Sequence, residues 1–506
     1  MKACWLISLM LVGCAEGAFA GGTPSGSVGV TQAGAQDAAH FRSLVAEGKV
    51  PEPSVLDQVG FFAEHALDQP PAACGEVVCA HPMLAVAPRF DDGTWTMAFV
   101  SLNSSVDPNT RPRKPVHLVL AVEVSAATQA ITAPSSSVVS DLLGSLLPED
   151  RLSVVAYATS ASSLLQAAAP GAAQLRNLTF PVRSSDDGVD LYGGIAAAAD
   201  ALAMATDFQG GSRIVLVTSG MASAGITDAN RIEALASAIV SKGTPLSVLG
   251  VGDNFQAELP RRLADVGAGT YAYAQDPADL VRLVQQEGNV RLLPLAMNVE
   301  LKITPSPGYT VGRVYGARRA FVEDGGAVLR TPALFLGTRS GAQDVEQGRR
   351  GGGGGFFVEL LADSALGAQM APGQPAFHLD TSYVDADTNL AVKLSTEVTN
   401  QLAPGQRPTE NWPSFSHPEY GKAFMMLNMY LALRTMLDLY EVGDCGSALG
   451  ASYMMDPGIE EWKRRFSDPD IDADAGTMVL LRQNISEICR ATPVPPSNYE
   501  PGCFSL

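Results

Sequence analysis

Two rhythms of apolar and polar positions alternate along this chain. Residues 116–124 form a near-continuous apolar run, the pattern of a strand buried on both faces of a parallel sheet. Residues 152–157, 213–218 and 246–251 repeat it, and 270–273 give a short fifth. Between these runs the apolar spacing is helical, at 135–147, 194–205, 229–242, 258–266 and 277–286. Strands alternating with helices of this length predict a doubly wound α/β sheet over 114–290, with ligands at the carboxyl ends of its strands.

Outside that unit the rhythm changes. Residues 38–67 read as helix in two pieces, broken at Pro51 and Pro53. Residues 83–87 and 95–102 read as strands joined by an Asp91-Asp92-Gly93 hairpin turn, the first of them closed by Pro88. After Asn289, residues 297–303, 309–315, 356–361 and 389–398 alternate or run β-branched. Two mobile loops are predicted, 341–355 with its five-glycine run and the Pro/Gln-rich 402–413. An amphipathic helix at 419–440 and a second helical piece at 477–489 follow. Strands before and after the α/β unit predict one β-sandwich into which that domain is inserted. The division is then an N-terminal segment 38–113, the α/β domain, a sandwich extension 291–412 and a helical region 413–506.

The first residues carry an address. Lys2 precedes a short apolar stretch, too short for a bilayer, which reads as a signal peptide over 1–13. It ends in Leu11-Val12-Gly13-Cys14, similar to the bacterial lipobox, so Cys14 is expected to be lipidated. Ala18-Phe19-Ala20 offers a competing signal-peptidase site. Residues 14–37, rich in Gly, Ser and Thr from Gly21 to Gln36, read as a flexible tether. No later segment reads as transmembrane, since the most apolar helix contains Asn428 and Arg434.

Composition narrows the function. At 506 residues the chain can hold two or three cores. Its net charge is −19, and its basic runs are short, two residues at Arg349-Arg350 and three at Lys463-Arg464-Arg465, which excludes a nucleic-acid footprint and favours neutral or basic partners. Of seven cysteines, Cys4 leaves with the signal and Cys14 takes lipid. Cys74 and Cys79 are close enough for a disulfide in an oxidising compartment, and Cys445 can pair with Cys489 or Cys503.

Several stretches then carry a resemblance. They are Phe41-Arg42, Val50-Pro51, Phe61-Phe62, Leu118 to Ser125, Pro148 to Leu152, Leu191-Tyr192-Gly193-Gly194-Ile195 and Arg213 to Gly220. In this order they resemble bacterial YfbK-like proteins with a von Willebrand factor A (VWA) domain. The resemblance implies a metal-ion-dependent adhesion site (MIDAS), built from Asp-x-Ser-x-Ser, a later Thr and an Asp after the central strand. The matching positions here are Glu123, Ser125, Ala127, Val189 and Ser219. Two hydroxyls and one carboxylate are gone, so no metal or other cofactor is expected. The alternative is a site rebuilt for Mg²⁺ or Ca²⁺ with Asp186, Asp187 and Asp190.

Other candidates do not point to an enzyme. The six histidines (His40, His65, His81, His117, His378 and His417) lack any HExxH or nucleophile-elbow context. Asp470 to Gly476 imitates a calcium loop, but its glycine is one place late and the twelfth position is Leu481, so an acidic solvated turn is expected. Met425, Met426, Met429 and Met436 are expected to pack a core. The reading is a non-catalytic interaction protein of the bacterial envelope, anchored to the outer membrane and facing the periplasm or the surface. Its partner is another protein, met by loops around Glu123, Asp190 and Ser219.

Overall fold

The computed structural model describes residues 28–494 apart from 34, 36–37, 68, 89–93, 108–110, 112–113, 130–145, 173–177, 182–187, 253–254, 275, 281–293, 338–353, 402–419 and 466–467. Cys14, the signal peptide, Asp186, Asp187, the predicted loop 402–413, His417, Cys503 and most of the loop 341–355 and of the helices expected at 135–147 and 277–286 lie outside the described residues. Gly355, at the end of the loop 341–355, already belongs to a strand. Among the described residues no helix is long and apolar enough to cross a membrane.

The chain enters through β1 (Val28–Gln32), then α1 (Ala39–Ala46), α2 (Gln58–Glu64), β2 (Cys79–Pro88) and β3 (Thr94–Ser104). Strand β1 falls within the stretch expected to be a tether. Its Gly and Thr residues masked a strand that is held from both sides. Val28 and Gly29 pair with Ser104 and Asn103 of β3, while Val30 to Gln32 pair with β13 (Gly326–Leu336).

The α/β domain follows, with β4 (Val116–Glu123), β5 (Arg151–Tyr157), β6 (Ala161–Ala168), α3 (Leu191–Ala203), β7 (Gly211–Thr218), α4 (Ala229–Val240), β8 (Leu246–Val251), α5 (Glu258–Val266) and β9 (Ala268–Ala274). The sheet order is β6-β5-β4-β7-β8-β9. Every pairing is parallel except β5 with β6, an antiparallel edge that the sequence reading missed. Strand β4 is buried at all positions, which explains its unbroken apolar run: alternate residues feed two cores.

Beyond it come β10 (Ala296–Pro305), β11 (Tyr309–Tyr315), β12 (Arg319–Glu323), β13, β14 (Gly355–Ala362), β15 (Pro375–Asp385) and β16 (Ala391–Thr399). The antiparallel path runs β11-β14-β3-β1-β13-β10-β15-β16, so strands from before and after the α/β domain are interleaved. Leu84, Ala98 and Val100 from one half meet Leu301, Ile303, Leu329 and Phe377 from the other, closing a sandwich core. Strands β12, β13 and β15 were not anticipated. Pro332 sits inside β13 opposite Asn298 of β10, a pair missing from an otherwise unshifted ladder, where Asn298 adopts φ +52° beside an irregularity in the pairing of β10 with β15.

Three helices close the chain: α6 (Tyr420–Glu441), α7 (Cys445–Arg465) and α8 (Pro469–Cys489). Helix α6 was expected to be amphipathic, but it is buried almost all round between sandwich, α2 and its sister helices. Its four methionines pack there beside Phe61, Phe99 and Phe357. Helix α7, with Pro457 inside it, was not anticipated. The acidic stretch read as a solvated turn is instead the start of α8. Asp470 and Asp474 are 0% and 1% exposed, because Lys422, His65 and Arg42 surround them.

Candidate functional site

The carboxyl end of the parallel sheet gathers the predicted residues, since β4 and β7 are neighbours and both stop there. Glu123, the last residue of β4, is fully buried. Its Oε1 accepts from Ser125 Oγ at 2.5 Å and Ser219 Oγ at 2.8 Å. Its Oε2 accepts from Thr218 Oγ1 and the Ser219 N–H, each at 2.8 Å. Thr128 Oγ1 donates to the Glu123 carbonyl at 2.8 Å. Four neutral donors therefore serve one carboxylate, and Glu123 forms no ion pair among the described residues. Sequence reasoning missed Thr218 and Thr128. The signal was available for Thr218, which directly precedes the aligned Ser219.

Nearby, the Tyr157 hydroxyl donates to the Val217 carbonyl at 3.1 Å. Burial first, and the negative charge of Glu123 second, push its phenol well above the ordinary range.

The other predicted positions do different work. Val189 turns its side chain into the core, while its backbone N–H donates to Ser223 Oγ and its carbonyl accepts from Ser223 and Ala224. Asp190 caps α3, its Oδ1 accepting from the Gly193 N–H at 2.8 Å. A Cβ on Gly193 or Gly225 would stand 2.4 Å from that carboxyl group, so a side chain at either would displace the cap, and Gly225 also sits at φ +62°. Ala127 is exposed and brings a methyl where the pattern has a hydroxyl.

An octahedral Mg²⁺ needs about six oxygens at roughly 2.0–2.1 Å. Of the five aligned side chains, Ala127 and Val189 have none to offer and Glu123 spends its own on internal donors. The aligned set does not fit that ion. The surface expected around Glu123, Asp190 and Ser219 also needs correction. Glu123 and Ser219 are 0% and 2% exposed, leaving Ala126, Ala127, Ser223 and Gly225 at the surface with Asp190 half-buried among them.

Elsewhere, Cys74 is bonded to Cys79 and Cys445 to Cys489. Among the described residues, a Ser–His–Asp trio lies on an exposed sandwich face. His378 Nε2 lies 2.6 Å from Ser395 Oγ, which donates to Asp380 Oδ1 at 2.5 Å. The aspartate meets the hydroxyl rather than the imidazole Nδ1, so it cannot orient a base as a catalytic triad requires.

No family model matches this chain. A stretch of 99 residues, 19% of the chain, is 31% identical to the uncharacterized protein YfbK of Escherichia coli (strain K12). That stretch spans only 17% of the relative's length. Two solved structures align along most of the chain. A von Willebrand factor type A protein from Catenulispora acidiphila is 15% identical, with 80% of this chain and 96% of that one covered, at TM-score 0.48. The ArnB paralog VWA2 from Sulfolobus acidocaldarius is also 15% identical, with 81% and 98% covered, at TM-score 0.44.

Proposed function

We propose that this YfbK-like VWA protein is a non-catalytic interaction protein of the bacterial envelope, which meets its partner without a metal ion. VWA domains serve as interaction or adhesion modules, and the top of this sheet is where such a module takes its partner. The observation that carries the metal-free reading is the Glu123 carboxylate, buried and supplied with four internal donors. The loops above it are pinned by those same bonds, presenting a small preformed surface at Ala126, Ala127 and Ser223. With a net charge of −19, a neutral or basic partner is favoured. Cys14 anchors the protein to the outer membrane through lipid.

A photo-crosslinking amino acid at Ala127, used on intact cells, tests the site. The same protein should be captured with EDTA and with millimolar Mg²⁺. Capture abolished by EDTA, and restored by Mg²⁺ only while Glu123 is intact, would mean that Asp186, Asp187 and Asp190 have rebuilt the metal site. For the anchor, Cys14→Ser should move the protein from the membrane to the soluble fraction. A mature wild-type N-terminus at Gly21 would overturn that assignment.

A further inference from the structure

Phe255 and Gln256, just ahead of α5, lie between the top of the sheet and the N-terminal helix α1. The Gln256 N–H donates to the Ser219 carbonyl at 3.0 Å. Gly220, at φ +79°, lies so close that a Cβ there would stand 2.1 Å from the Gln256 carbonyl oxygen. Gly252, at φ +97°, lies against the first site loop, where a Cβ would stand 2.8 Å from the Ala127 carbonyl oxygen. Both loops that form the candidate surface thus rest backbone to backbone on the start of this connection, with no side chain between to absorb a shift.

The far side of the same connection is aromatic. The Phe255 ring lies 5.2 Å from that of Tyr273, and His40 of α1 closes the group at 4.5 Å from Tyr273 and 5.8 Å from Phe255. His40 is 5% exposed. Helix α1 is itself fixed to the helical layer: Arg42 pairs with Glu64 and lies 3.6 Å from Asp474, and the Val45 carbonyl accepts from Asn484 Nδ2 at 2.8 Å.

We infer that α1 couples the candidate surface to the helical layer. A displacement of the Ala127 or Ser219 loop moves Gln256 and Phe255, and through them His40. Close-packed contacts of this kind shift as units instead of deforming gradually. The inference rests on the proposed function for where a partner lands, but its test needs no partner. If the crosslinker at Ala127 captures nothing while the coupling holds, only the landing place falls.

Hydrogen exchange on the full chain provides the test. Gly220→Ala drives a methyl group against Gln256 and should speed amide exchange across α1 by at least about fivefold, with β10 and β15 unchanged. Packing that transmits a shift in one direction transmits it in the other, so His40→Ala should also speed exchange around Ser219 and Gln256 severalfold. Should Gly220→Ala fail to fold, Ser219→Ala, which removes one donor to Glu123, replaces it. Changes confined to each variant's own loop overturn the inference. So does a rise shared equally by β10 and β15, since general loosening requires no coupling.

Discussion

His117 lies at the opposite end of β4 from Glu123, buried, with Nε2 2.9 Å from Ser153 Oγ. Burial lowers its pKa, the Arg151 charge adds to this and Asp207 opposes it. Unfolded, the imidazole titrates near an ordinary pKa of about 6.5, so in the window just below that value the unfolded chain binds more protons than the folded one. Its contribution to stability is therefore fully present above the unfolded pKa and is lost as the pH falls through the window. Between pH 7.5 and 5.5 the melting temperature of His117→Gln should fall less than that of the wild type; equal falls would sink the assignment. Single residues were unevenly legible. The aligned site positions could be found because apolar runs end abruptly at Glu123 and Thr218. That Glu123 would be saturated could not, since it depends on hydroxyls from a strand 95 residues away.

At the scale of elements, the least legible feature is the ionic cluster that joins α1, α2, α6 and α8. Asp470 is fully buried, accepting from Lys422 Nζ at 2.8 Å and the Ala66 N–H at 3.1 Å. Asp474 meets His65 Nε2 at 2.7 Å. From sequence alone Asp470 to Gly476 is a run of charge in a turn, because the groups that neutralise it lie far off in the chain. Burying a pair of ions gains little, but removing one partner leaves the other charged and dry, typically at about 3–5 kcal/mol. Lys422→Met should lower the unfolding free energy from denaturant titration by about that much, and Lys422→Met with Asp470→Leu should recover most of the loss. A double variant no better than the single would show that Lys422 contributes packing alone. By contrast, β4, β7 and β8 could be read directly, since strands buried on both faces write themselves as apolar runs. Strand β13 could not, because Arg330 and Pro332 interrupt its apolar run, nor β12, whose positions are mostly exposed; β15 alternates buried and more exposed residues from Phe377 onward and was simply missed.

For the whole molecule, the order of strands alone implied an inserted α/β domain, and the pairing of β3 with β14 and of β1 with β13 gives that insertion its physical form. A fragment from Lys114 to Asn289 contains its complete sheet and both flanking cores, and should unfold cooperatively by itself in a thermal melt. A fragment beginning at Arg291 lacks β1 to β3 and the α2 surface that covers α6. It should not fold, and a cooperative melt from it would contradict the interleaved sandwich. Strand β1 has one more consequence. It is zipped between β3 and β13 from Val28 onward, and in the sequence only residues 15–27 lie between it and Cys14. Thirteen residues span about 45 Å at most, whatever their conformation. With lipid on Cys14 the protein would patrol a shell close to its own membrane, and a partner fixed farther off would have to make up the distance itself.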